Sequence, residues 1–318
     1  MSTCATVSRQ LDESMSATAP TARTWLLLEQ PGPWGAEALT SSHLDPALGR
    51  ALKRAAAGTG VRVALIRRPG RHADRRTPTA RHVYAAHTVP GGVWLHSAVI
   101  TDPERLLDLD FRALGRGEHH TFDAALGGAP HTGDPLALVC TNGRRDRCCA
   151  LLGRPLAAEL ASSGVGGAWE VTHLGGHRFS PTLLVLPYGY AYGRAEAHAV
   201  KEALHGVREG RVVLEGCRGR TAWERPAQAA ELSVRAAAGE FRADALSVVR
   251  TEALETGAAA PRWAVTVAHA DGREWHVTVA RGAAEPPRPE SCGAPVLGGP
   301  ARMDVVAVRE LAVPRPAG

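Results

Sequence analysis

Leu136–Cys140 (LALVC), the loop TNGRRDRC (141–148) and the segment WEVTHLGGHRFSPTLLVLPYGYAYG (169–193) decide how this chain is read. LALVC is a short, wholly apolar run, the pattern of a strand buried on both faces. It ends on a cysteine. A helical stretch follows, from about Arg147 to Ser163, and then a second strand, Trp169–His173. PTLLVLPYGYAYG (181–193) reads as two strands about a Pro-Tyr-Gly turn, and Ala195–Val207 as a helix. The order is β-α-β-β-β-α. It is a thioredoxin-like layout, with a cysteine at the end of the first strand. Ser180-Pro181 precedes the hairpin, where such folds commonly hold a cis-proline, so Pro181 is expected to be cis.

The same order stands upstream. Trp25–Glu29 (WLLLE) is a buried-strand pattern closed by the breaker run PGPWG. Pro46–Ala57 has helical spacing, with Asp45 as N-cap and Pro46 at the first helical position. Val61–Ile66 is a strand, and Arg81–Thr88 with Gly92–Ile100 reads as a hairpin. A helix is expected over Asp102–Leu114, then a Gly- and His-containing linker over about 115–134. The first unit (23–115) is therefore an expected degenerate thioredoxin-like repeat of the second (134–208). Residues 1–22 are polar and small and are expected to form a loose arm.

From 209 onward the composition changes. VVLEG (212–216) is an expected strand and Ala227–Ala238 an Ala-rich helix. RWAVTVAHADGREWHVTVAR (262–281) is the clearest hairpin, alternating on both sides of Asp271-Gly272. EPPRPESCGAP (285–295) is a loop, and MDVVAVREL (303–311) a last strand or short helix. The fold class expected is α/β (α+β), with 209–318 as a small C-terminal α+β extension.

The chain has 318 residues, 44% hydrophobic and 22% charged, the composition of a globular protein. The formal net charge is +5, with Lys53 and Lys201 the only lysines. No Lys/Arg block or basic aromatic stripe marks a nucleic-acid surface. No apolar run approaches the ~20 residues that cross a bilayer, and MSTCATVSRQLDES lacks a signal-peptide pattern. No nucleic-acid or membrane partner is expected, and the location expected is cytoplasmic. Three of the six cysteines (Cys140, Cys148, Cys149) fall within ten residues. In a reducing compartment that clustering points to metal or redox chemistry.

Cys140 and Cys149 are separated by eight residues, and His173 and His177 by three. Gly143 allows a turn that curls Cys149 back toward Cys140, and Gly175-Gly176 let both imidazoles aim at one point. The spacing fits a Cys₂His₂ finger poorly. A Rieske centre takes one Cys-x-His pair from each loop, whereas here each loop carries one ligand type. A dithiol enzyme would need Cys-x-x-Cys. The residues alone leave open an iron–sulfur cluster, a zinc-bound or metal-free binding module, and a thiol-disulfide redox protein.

CTNGRRDRCCALLG (140–153) and HLGGHRFSPTLLVLPYG (173–189) resemble the sucrase/ferredoxin-like family, a group of thioredoxin-like [2Fe–2S] proteins; WLLLEQPGPWG (25–35) is similar to that family's opening strand and turn. The resemblance covers roughly residues 20–208. It implies a [2Fe–2S] cluster held by Cys140, Cys149, His173 and His177, in an electron carrier without substrate turnover of its own that works with an unidentified redox partner protein. No carboxylate pair supports glycosidase chemistry. Cys148 could replace Cys149 through a one-residue shift, but Cys149 matches the family pattern; Cys148 then reads as a small buried hydrophobe. Cys4, Cys217 and Cys292 have no partner by spacing, although the Ser-Cys-Gly loop at Cys292 could approach a site. Arg144, Arg145 and Arg147 are either a steering surface for an acidic partner or a solvated loop. His119-His120 and Tyr188, Tyr190 and Tyr192 read as surface and hairpin residues. Histidine ligation places the expected potential well above the about −400 mV of plant-type ferredoxins.

Overall fold

The computed structural model describes residues 3–70, 79–255 and 260–311; the first two residues of the expected arm lie outside them. The chain opens with α1 (Cys4–Gln10), β1 (Thr24–Glu29) and α2 (Pro46–Ala56). Asp45 caps α2, accepting the Ala47 N–H at 2.6 Å. Next come β2 (Val61–Arg67), β3 (Arg81–His87) and β4 (Trp94–Ile100). The helix expected over 102–114 is divided. A 3-10 turn (Pro103–Asp108) precedes α3 (Phe111–Arg116), because Asp110 accepts the Arg112 and Ala113 N–H groups and starts a new helix. The expected linker contains α4 (His120–Leu126) and the short β5 (Ala129–Pro130). Phe122 and Leu126, one turn apart, bury its inner face.

The second half holds β6 (Leu136–Cys140), α5 (Arg147–Ser162), β7 (Ala168–Val171), a 3-10 turn (His177–Phe179), β8 (Leu183–Leu186), β9 (Tyr190–Tyr192) and α6 (Ala197–Arg208). The Ser180–Pro181 bond is cis. Then follow β10 (Cys217–Arg220), α7 (Arg225–Ala238), β11 (Leu246–Leu254), β12 (Arg262–His269), β13 (Glu274–Ala283) and β14 (Ala301–Glu310). VVLEG is not a strand. The strand lies just beyond it, in CRGR, where β10 pairs with β9.

Among the described residues, ten strands form one mixed sheet in the order β10-β9-β8-β6-β7-β2-β1-β3-β4-β5. The two halves repeat one topology. β1 lies parallel to β2 and antiparallel to β3, and β6 lies parallel to β7 and antiparallel to β8. Their equivalent edge strands, β2 and β7, pair antiparallel through Ile66–Val171 and Arg67–Glu170, which relates the halves by a local two-fold. A buried ion pair sits on this seam: Arg67 reaches Glu170 Oε2 at 2.7 Å, and Thr141 Oγ1 donates to the same oxygen.

The sheet is covered on both sides, which explains the unbroken apolar run in β1. Leu26 and Leu28 pack under α2 with Leu48 and Leu52. Trp25 and Leu27 face the other way, onto Trp169, Leu138 and Cys140. A separate antiparallel sheet, β11-β12-β13-β14, packs its apolar face on α7. It is tied to the large sheet by Tyr190 of β9, which donates to Glu231 of α7 at 2.6 Å.

The segment expected as a loose arm is built into the body. Cys4, Ala5 and Ser8 are buried, Glu13 pairs with Arg178 at 2.9 Å, and Arg194 donates to the Ser8 and Glu13 carbonyls. Its small residues serve close packing: Ala17 sits in the core between α7 and the small sheet.

Candidate metal centre

β6 and β7 run parallel, so their carboxyl ends open on the same edge, where crevices form in such sheets. Cys140 is the last residue of β6 and pairs in register with Val171, the last of β7. Two residues further, His173 enters the same region. Asp146 caps α5 by accepting the Cys148 N–H at 2.8 Å, which places Cys148 and Cys149 in the first helical turn. Gly153 lets that helix close on β6: a Cβ there would lie 2.2 Å from the Cys140 carbonyl oxygen. Gly143 acts similarly, since its Cβ would meet that of Ala150 at 2.6 Å; close approach, and not a left-handed turn, is what this glycine supplies. Gly175 and Gly176 have φ of 85° and 70°, the left-handed conformation expected of the Gly-Gly pair.

Cys140 Sγ, Cys149 Sγ and a ring nitrogen of His173 lie within 4.8 Å of one another. The His177 ring lies beside that of His173, with centroids 5.2 Å apart. It stands outside the tight trio, and its Nε2 is 3.7 Å from Asp146 Oδ2. Both cysteines are buried, while both histidines are partly exposed. Nδ1 of His173 and Nδ1 of His177 are each buried without a hydrogen-bond partner among the described residues. Two imidazole nitrogens left unpaired beside two buried thiols form a donor set suited to a metal.

The electrostatics agree. The Cys140 thiol is held well below its ordinary pKa by the hydrogen bond from Cys149, helped by His173 and the Leu174 N–H. The same bond pushes the Cys149 thiol up. A thiophilic metal would displace the protons that the two thiols carry. Burial pulls the His177 imidazole pKa down, against the nearby Asp146 carboxylate, and favours the neutral form that ligates. Buried guanidiniums brace the histidine loop: Arg62 donates to the His173 carbonyl at 2.8 Å and Arg218 to that of Gly175 at 3.1 Å.

Outside the site, an open groove of about 890 Å³ reaches His177 and Cys292 between Arg144, Arg145, Arg147 and Arg178.

A family model described as Sucrase/ferredoxin-like matches residues 15–219. The chain belongs to the sucrase/ferredoxin-like family. The match takes in all four expected donors, starts after Cys4 and ends before Cys292. No curated protein and no solved structure shows significant similarity to the chain. Among the described residues no helix is long and apolar enough to cross a membrane.

The side chain of Cys148 turns away from Cys140. Its sulfur lies 3.5 Å from Cys4 Sγ and 3.1 Å from Cys292 Sγ. This corrects two readings of this family member's sequence: Cys148 is not a lone apolar filler, and Cys4 and Cys292 do have partners. The local signals for them are Cys148, the first cysteine of the Cys-Cys dipeptide, and the Ser-Cys-Gly loop at Cys292. Cys217 is an ordinary core residue. A further cluster, His96, His119 and Asp123, is satisfied internally: the Nδ1 atoms of His96 and His119 bond the two Asp123 oxygens at 2.7 and 2.9 Å.

Proposed function

We propose that the protein is an electron carrier with a [2Fe–2S] cluster held by Cys140, Cys149, His173 and His177. The carrying observation is the gathering of two buried thiols with two imidazoles whose buried Nδ1 atoms have no partner. The cysteines would supply thiolates and the histidines neutral nitrogens. When bound, such a cluster supplies reversible one-electron transfer. The chain's own part is to set the charge around it. Two neutral imidazoles in place of thiolates leave less negative charge and ease reduction, in the range of about −150 to +300 mV. Arg62 and Arg218, both sensing the Cys140 charge, act in the same direction.

His177 is the donor that reaches the groove, so electrons leave by its edge. The arginines there attract an acidic redox partner. The cluster-binding unit is 134–208, supported by 23–115 across the β2–β7 seam, in a reducing cytoplasmic setting. A single ion on Cys140, Cys149 and His173 is the second reading, favoured by the tightness of that trio.

Anaerobic purification tests the proposal. About two irons and two labile sulfides per chain, with visible bands that dithionite bleaches and a paramagnetic signal on reduction, are expected. Protein that holds neither iron nor sulfide, even after anaerobic reconstitution, overturns it.

A further inference from the structure

We infer that Cys4, Cys148 and Cys292 form a second metal site, separate from the first, which binds one zinc-type ion with Asp146 as the fourth donor. Three thiols from the N-terminal helix, the first turn of α5 and the C-terminal loop meet in one place. Cys4 Sγ lies 3.5 Å from both Cys148 Sγ and Cys292 Sγ, and the last two are 3.1 Å apart. An Asp146 oxygen lies within 4.8 Å of all three. Cys4 and Cys148 are fully buried, and the only other buried apolar residue in this cluster is Ala5.

The distances select the ligand. Zinc bonds thiolate at about 2.3 Å, which in a tetrahedron separates sulfurs by about 3.8 Å. The observed spacings are about 0.3 to 0.7 Å shorter than that and would have to open by that much to admit a single ion. A disulfide would require about 2.05 Å, would join two sulfurs and would strand the third. A single buried thiol packs as a small hydrophobe, but what sets cysteine apart from other small apolar residues is its reactivity, metal binding included, and here three thiols meet in one place.

Asp146 is already oriented for the task. One oxygen accepts the Cys148 N–H and the other the Cys292 N–H, each at 2.8 Å. The carboxylate therefore clasps the C-terminal loop onto α5 and keeps lone pairs free toward the sulfurs. Cys148 gains further thiolate character from its place in the first turn of the sixteen-residue α5. On binding, the three thiols lose their protons to solvent and no electron moves.

Such an ion would staple the N-terminal helix and the loop between β13 and β14 onto α5, beside the first site. The loop around Cys292 has little regular structure of its own; a single bridge, Arg288 to Gly298, closes it. That loop forms one wall of the groove at His177. The inference does not rest on the cluster proposal, because Cys4 and Cys292 take no part in that site.

Metal analysis of the full chain, purified under reductant and incubated with zinc before desalting, provides the test. We expect about one tightly held zinc per chain in addition to any iron, lost in Cys4→Ala and in Cys292→Ala but kept in Cys217→Ala. Iron and sulfide should remain in all three. Cobalt(II) added to Cys149→Ser gives a readout that survives misfolding of the other variants: intense sulfur-to-cobalt charge-transfer bands at one equivalent, abolished by Cys292→Ala in the same background. Zinc that stays in both Cys4→Ala and Cys292→Ala, a wild-type chain that holds none, or a Cys148–Cys292 disulfide found by mass spectrometry under reductant would each overturn the inference. Loss of iron with zinc retained would instead count against the first site alone.

Discussion

Cys148 and Cys149 are adjacent in the first turn of α5 yet face different clusters. Cys149 joins Cys140 and His173 within 4.8 Å, while Cys148 Sγ lies 3.1 Å from Cys292. A helix turns about 100° per residue, so neighbouring side chains diverge. Cys149→Ser should abolish the visible iron–sulfur bands, whereas Cys148→Ser should retain most of them. Absorption spectra of the two variants compared at equal concentration check this, and the opposite pattern would reassign the ligand.

The contact between Gly153 and the Cys140 carbonyl should couple helix packing to metal loading. Gly153→Ala forces a Cβ to 2.2 Å from backbone, and overpacking of this kind costs about 1–3 kcal/mol. Urea unfolding should show that loss, and iron content should fall with it because α5 carries Cys149.

Ligand charge gives a directional test of the histidines. Replacing either His173 or His177 with cysteine adds a negative charge, so the midpoint potential should drop toward the about −400 mV of all-thiolate clusters. Spectroelectrochemistry measures it. A potential unmoved in His177→Cys would remove His177 from the ligand set.

His87 should make the protein acid-sensitive. It is buried and its Nδ1 lies 2.8 Å from Thr24 Oγ1. Burial, with Arg23 and Arg220 nearby, lowers its pKa from 6.5 to about 4. The unfolded chain therefore binds the proton more readily. The stability contributed is complete above pH 6.5 and is lost as pH falls through about 4, amounting to at most about 3 kcal/mol. His87→Gln should flatten that part of the stability–pH curve in chemical denaturation.

The link between the two sheets should depend on Glu231. It accepts from Tyr190 and from Arg235 at 2.6 and 2.7 Å, with Arg235 fully buried. Glu231→Ala leaves that guanidinium without its carboxylate, at about 3–5 kcal/mol. Glu231→Gln keeps an acceptor and should lose less. Thermal unfolding of the two variants separates them.

Elements with strong local patterns were legible in the sequence. β1, β6 and the Asp271-Gly272 hairpin follow from apolar runs and turn residues, and α2 from its Asp-Pro start. β11 leaves no signal in the sequence, since its strand is mostly exposed and lacks a clean alternation. β10 was hidden because CRGR reads as a loop. Its arginines tolerate burial because Arg220 donates to the Thr88 and Ala243 carbonyls and pairs with Asp244, and Arg218 donates to the Gly175 carbonyl and to Thr18. The N-terminal segment carries no periodic apolar face, because its residues are small and polar; its burial comes from close contacts with α7 and the 3-10 turn at His177–Phe179.

What the amino-acid order carried alone is the repeated β-α-β-β-β-α pattern and the short-range placing of Cys140 and Cys149 with His173 and His177, which the family resemblance makes the expected donors. Those residues sit at strand and helix ends, where local geometry dictates direction. Only the tertiary structure joined the two halves edge to edge through β2 and β7, and only it brought Cys4, Cys148 and Cys292 together. Thiols 144 or 288 residues apart leave no spacing to read, because their meeting depends on how distant segments pack and not on the conformation of any one of them.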